Sequence, residues 1–216
     1  MRKSIIFGFT IYGLSLIIYC MNYVIVGLGN PGEEYENTRH NLGRIILEYF
    51  RKKYDCTEWQ INKKSKGIVS EGEIGKSKII LLEPETFMNK SGISAKFFIT
   101  SKKKAEKLVV IYDDLDLPIG TFKISFNKGT GGHKGLDSIA KNIKTKEFIR
   151  VRIGISQVTP AGKLRKPKGD QKILDYLMSD FGKKDFEILK KIKPKILKAL
   201  ETIIVEGRMK AMNEFN

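Results

Sequence analysis

Two histidines, His40 and His133, are the whole histidine complement of this 216-residue chain. Histidine is the usual side chain when a proton must move near neutral pH. His40 lies in Asn37-Thr38-Arg39-His40-Asn41, and His133 closes the run Lys128-Gly129-Thr130-Gly131-Gly132. A histidine beside a helix start can also simply cap or pack, so its company decides. Three carboxylates, Asp113, Asp114 and Asp116, stand just beyond the apolar run Leu108–Tyr112. Such a cluster could hold a divalent ion. A single Asp facing a histidine would instead fix its tautomer and stabilise the imidazolium, and spacing alone leaves both open.

Two asparagines complete the set. Asn30 lies in Gly27-Leu28-Gly29-Asn30-Pro31-Gly32, and Asn89 in Phe87-Met88-Asn89-Lys90-Ser91-Gly92. The first segment fits the glycine spacing of a dinucleotide fingerprint, which requires a helix opening at its third glycine. Here Pro31-Gly32-Glu33-Glu34 reads as a turn and helical periodicity begins only near His40. The expectation is a tight strand-to-loop turn exposing Asn30 at the carboxyl end of the first strand, where ligands bind in open α/β sheets. In the second segment Asn89 or Ser91 could cap a helix. The loop before His133 lacks the order of a Walker loop, and its glycines suggest backbone that a ligand approaches closely.

The elements that must position these residues alternate between strand and helix. Tyr23–Gly27 and Leu108–Tyr112 read as buried strands, Gly67–Ile74 with Lys78–Leu82 as a hairpin, and Thr121–Phe126 as an edge strand. Ile149–Ile155 adds another strand. Helical periodicity covers Leu42 to Phe50, residues 90–100, Leu136 to Ile143, Lys172–Met178 and Phe186–Ile204, with a kink expected at Pro194. The predicted fold class is α/β: one domain, residues 21–216, with a twisted mixed β-sheet and helices packed on both faces.

Composition suits a folded chain, with 41% hydrophobic and 30% charged residues. Two cysteines make neither a disulfide framework nor a zinc cluster, and two histidines cannot build a multi-histidine metal site, so a reducing compartment and no metal are expected. The net charge of +16 attracts polyanions. Residues 1–20 differ from the rest: Arg2 and Lys3 precede an apolar run broken by Gly8 and Gly13. The segment reads as a start site placed too early, with Met21 the initiator, or else as a signal peptide or anchor.

Together the segments VGLGNPGEEYENTRHNLG, PETFMNKSG, YDDLDLPIG, KGTGGHKGL and FIRVRIGIS resemble the bacterial-type peptidyl-tRNA hydrolases, in order and over roughly residues 22–216. The resemblance implies hydrolysis of the ester joining a peptide to the 3′-terminal adenosine of tRNA. It makes His40 the general base and Asp113 its orienting partner. Asn30 and Asn89 position substrate and water, while Tyr35, Phe87, Met88 and His133 belong to the peptide and adenosine pocket. No cofactor or metal is implied. The implied partner is peptidyl-tRNA, met at its acceptor stem and 3′ CCA end, with no stable membrane partner, in the cytoplasm, by a monomer. Lys123, Lys128, Lys134, Arg150 and Arg152, together with Lys163, Arg165, Lys166 and Lys168, are the residues expected to meet phosphates. The alternative is a non-catalytic RNA-binding relative akin to plant organelle splicing factors. The sequence departs from the family twice: Lys134 replaces the usual asparagine after the second histidine, and Ser156-Gln157-Val158 replaces Gly-Arg-Pro ahead of a longer basic loop.

Overall fold

The computed structural model describes residues 23–216, so the segment 1–20 lies outside the described residues. The strands are β1 (Tyr23–Gly27), β2 (Gln60–Asn62), β3 (Gly67–Ile74), β4 (Ser77–Pro84), β5 (Leu108–Pro118), β6 (Phe122–Phe126), β7 (Ile149–Val158) and β8 (Leu164–Arg165). The helices are α1 (Leu42–Lys53), α2 (Ser91–Phe98), α3 (Lys102–Ala105), α4 (Lys134–Ile143), α5 (Asp170–Met178), α6 (Lys183–Val205) and α7 (Arg208–Phe215).

Seven strands run in the order β2-β3-β4-β1-β5-β7-β6, and β8 pairs with the far end of β7. The centre is parallel, β4 with β1, β1 with β5 and β5 with β7. The flanks are antiparallel: β2-β3-β4 as successive hairpins, and β6 against β7 across the connection that carries α4. The expected mixed sheet is observed, and β6 is its edge. Alternation explains why both faces need cover. On β1, Tyr23 and Ile25 enter one core, and Val24 and Val26 the other. Full burial of such side chains contributes about 1.5–3 kcal/mol each. The first core is closed by α1, α6 and α7 and the second by α2, α3 and α4.

The helix α1 buries Leu42, Ile46, Leu47 and Phe50, a stripe at helical spacing, and ends in Arg51, Lys52 and Lys53, which suit the negative end of its dipole. It lies so close to the sheet that a Cβ on Gly43 would sit 2.4 Å from the Ile111 carbonyl oxygen and 2.5 Å from the Leu28 nitrogen. Glycine there brings the helix start, and the residues just before it, over the end of β1 and the neighbouring Ile111 of β5. At the other end of the chain α6 runs as one helix through Pro194. The short strands β2 and β8, the single-turn α3 and the terminal α7 go beyond the elements read from the sequence. No helix among the described residues is long and apolar enough to cross a membrane.

Candidate active site

β1 ends beside Ile111 of β5, which runs on to Pro118, and the Leu28 N–H donates to the Ile111 carbonyl at 3.0 Å. Two residues further along β5 the Asp113 side chain leaves the sheet on the face that carries Ile111 and α1. A 3-10 turn, Arg39–Asn41, precedes α1 and sets His40 above it. His40 Nδ1 stands 3.0 Å from Asp113 Oδ1 and 3.1 Å from Oδ2. From the start of α4, His133 Nε2 reaches the same Oδ1 at 3.3 Å. The two imidazole centroids are 5.0 Å apart.

Asp113 is 2% exposed and His40 5%. Burial alone would push the Asp113 carboxyl up. The charge of His40 and the hydrogen bonds from His133 and His40 outweigh it and hold the carboxyl well below the usual range. An ionised carboxylate accepts only, so His40 Nδ1 carries a hydrogen, and in the neutral imidazole Nε2 is the nitrogen with the free lone pair. The acidic cluster therefore divides. Asp113 goes to the histidines, Asp114 accepts from Arg152 Nε at 2.7 Å, and Asp116 pairs with Lys166. Among the described residues, the group with cation-holding geometry is His40, Asp113 and His133, whose donor atoms lie within 4.8 Å of one another.

Asn30 follows β1 as expected, but it is buried rather than exposed, because two neighbouring segments fold over it. Its N–H donates to Asn41 Oδ1 at 2.8 Å, and Asn41 Nδ2 donates back to the Asn30 carbonyl at 2.9 Å. Its Oδ1 accepts from the Met88 N–H at 2.8 Å. Among the described residues the amide Nδ2 meets only the Met178 sulfur, at 3.8 Å, so it keeps donor capacity. The Gly27–Gly32 segment is a turn that leads from its third glycine into a single 3-10 turn, Glu33–Tyr35, and not into an α-helix; α1 begins at Leu42.

Met88 is buried beside the histidines' loop, while Phe87 is 58% exposed and Tyr35 half-buried. Asn89 is exposed at a groove of about 510 Å³ whose other walls include Lys90, Lys134 and Lys141. Neither Asn89 nor Ser91 caps α2 with its side chain; the Ser91 hydroxyl donates to the Met88 carbonyl instead. Lys123 on β6 lies directly across from Arg152 on β7, so the two basic groups share one face. Arg150 corrects the sequence reading. It is fully buried, with Nη1 and Nη2 each 2.6 Å from the carbonyls of Gly129 and Lys128, and so is withdrawn from any phosphate at the surface.

Arg39 and Asp185 carry a second framework that residue types alone did not single out. Arg39 Nη2 bonds Asp185 Oδ2 at 2.8 Å and Nη1 bonds the Ser179 hydroxyl at 2.7 Å, while the guanidinium lies over the Tyr176 ring. Gln157, one of the departures from the family pattern, donates to Asp185 Oδ1 at 2.6 Å, and Ser156 is buried with its hydroxyl on the Leu115 carbonyl. These bonds tie the turn bearing His40 to α6 and to the end of β7. The one sequence signal was adjacency, since Arg39 and Asn41 flank His40.

A buried histidine held by a carboxylate, beside an asparagine amide with donors to spare, lies on a mixed sheet covered by helices on both faces. Together with the family match, this defines an α/β protein of the hydrolase class. The family model for peptidyl-tRNA hydrolase matches residues 24–216, and the chain belongs to that family. It is 37% identical over 195 residues to a peptidyl-tRNA hydrolase of Clostridium perfringens, spanning 89% of this chain and 96% of that one. A Clostridium botulinum relative of the same name is 38% identical over 199 residues, with 90% and 96% covered. The crystal structure of peptidyl-tRNA hydrolase from Acinetobacter baumannii matches with a TM-score of 0.79 and 31% identity, covering 91% of this chain and 95% of that one.

Proposed function

We propose that this protein hydrolyses the ester between a peptide's carboxyl end and the 3′-terminal adenosine of tRNA, freeing tRNA from stranded peptides in the cytoplasm. The observation that carries the reading is the Asp113 carboxylate on His40 Nδ1 at 3.0 Å, which leaves Nε2 to take a proton. Nε2 removes a proton from water and the resulting hydroxide adds to the ester carbonyl. The negative oxygen is met by amide donors, Asn30 Nδ2 and Asn89, each typically worth about 2.7–4 kcal/mol. Collapse expels the adenosine 3′ oxygen, which recovers the proton from the imidazolium, and the peptide leaves as a free acid. Asp113 remains ionised throughout.

Tyr35, Phe87, Met88, His133 and Lys134 form the rim in contact with peptide and adenosine. Lys123 and Arg152, neighbours across β6 and β7, meet acceptor-stem phosphates. The enzyme works as a monomer on peptidyl-tRNA, without metal or cofactor. The non-catalytic RNA-binding alternative gives no reason for a buried carboxylate on Nδ1. Release of N-acetyl-aminoacyl groups from charged tRNA by residues 21–216 is the direct test. Absence of release at low salt would remove the enzyme reading.

A further inference from the structure

Arg150 is a buried cation without a carboxylate: no acidic side chain among the described residues lies within ion-pair distance of it. A buried charge is costly unless its donors are used, and Arg150 places Nη1 and Nη2 on the two successive carbonyls of Gly129 and Lys128, while its Nε stays buried without a partner among the described residues. Those carbonyls therefore point inward. In a trans peptide the N–H of the next residue points opposite to the carbonyl, and the described chain has no cis bond. The amides of Gly129 and Thr130 are thus turned away from Arg150, towards the open side of the loop. Among the described residues neither donates to any protein acceptor.

Gly129 itself is not needed by the fold. Its φ lies outside the left-handed region, and a Cβ placed on it would meet nothing within 4 Å. A glycine that neither backbone strain nor packing requires is explained if something from outside approaches the backbone there. Two parallel amides with no acceptor make an anion-binding concavity, and the exposed Lys128 and Lys134 stand on either side of the loop. The loop ends at His133, on Asp113, so the concavity adjoins the reacting centre.

We propose that the Gly129 and Thr130 amides, held outward by Arg150, form a ledge for a phosphate oxygen of the substrate: the phosphate on the 5′ side of the terminal adenosine. This rests on the hydrolase reading, because that phosphate is one ribose away from the ester. Arg150 is then a positioning residue, and Gly129 leaves the space the phosphate occupies.

The test compares two small esters, 3′-O-(N-acetyl-aminoacyl)adenosine with and without a 5′-phosphate, on the full chain and on Gly129→Ala. Charge-assisted hydrogen bonds should lower KM about tenfold for the phosphorylated ester in the wild type. In Gly129→Ala the ratio of the two KM values should fall towards one at an unchanged Tm. Equal KM values in the wild type, or an undiminished ratio in Gly129→Ala, would overturn the ledge. Amide NMR separates this from the underlying activity. Adenosine 5′-monophosphate should shift the Gly129 and Thr130 signals, and adenosine should not. Those shifts in a protein that cleaves neither ester would support the ledge and count against the hydrolase reading alone, whereas no shift overturns the ledge.

Discussion

Asn30 and Asn41 exchange two hydrogen bonds, 2.8 and 2.9 Å, each using one side's backbone and the other's side-chain amide. The exchange locks the loop after β1 to the turn that carries His40, so a donor and the base of the proposed reaction share one frame. Asn41→Ala would leave the Asn30 N–H and carbonyl buried without partners, at about 1–3 kcal/mol for an unsatisfied group. Urea unfolding should show that loss, and kcat should fall along with it. An unchanged kcat would show that the exchange does not position the base.

Arg39 and Asp185 form a buried pair, with side chains 11% and 9% exposed. Removing one member strands the other, at about 3–5 kcal/mol. Arg39→Met should therefore lower the urea midpoint substantially. Arg39→Met combined with Asp185→Asn should recover part of the loss, because no uncompensated charge then remains. A double variant no more stable than the single one would contradict this.

Lys123 faces the solvent beside Arg152, which is partly occupied by Asp114. Lys123→Ala should raise KM for charged tRNA and leave kcat in place. One lost phosphate contact makes the slope of log binding constant against log salt shallower by about 0.7–0.9. Binding measured across a salt series checks it, and an unaltered slope would remove Lys123 from the tRNA surface.

Glu48 accepts hydrogen bonds from Arg51 and from the indole of Trp59, the sole tryptophan. Burial pushes its carboxyl up, but the hydrogen bonds from Arg51, Trp59 and Lys52 win and bring it down from 4.5 to about 2. A depressed carboxyl stabilises the folded state above its unfolded value and loses that contribution as pH falls towards the folded one. The stability gap between wild type and Glu48→Gln should be full above about pH 4.5 and close as pH approaches about 2. Trp59 fluorescence in urea titrations at several pH values reports it directly, and a constant gap would contradict the assignment.

Much of this site could be read before any coordinates. Scarcity picked out His40 and His133, and ordered motifs pointed to Asp113, Asn30 and Asn89, of which the structure sets Asp113 on both histidines and leaves Asn89 exposed at the neighbouring groove. The strands were legible because β1, β5 and β7 are β-branched runs buried on both faces. Arg150 was misread for a physical reason. It and Arg152 share one face of β7 while Ile149, Val151 and Ile153 take the other, a pattern of solvent-facing charge. Only the chain path shows the loop Lys128–Gly132 lying over the first arginine and leaving the second half-exposed. The Arg39–Asp185 pair spans 146 residues, and no local pattern reports a contact of that range. Strand β2 has three residues with none buried, too short and too polar for alternation to reveal.

The role of His40 carries everything else, and single-turnover release of N-acetyl-aminoacyl groups from tRNA tests it most directly. With enzyme in excess, His40→Ala should remain folded, bind tRNA as before, and release its substrate about 10²–10⁴-fold more slowly. Wild-type release rates from a folded His40→Ala protein would contradict the assignment of the base.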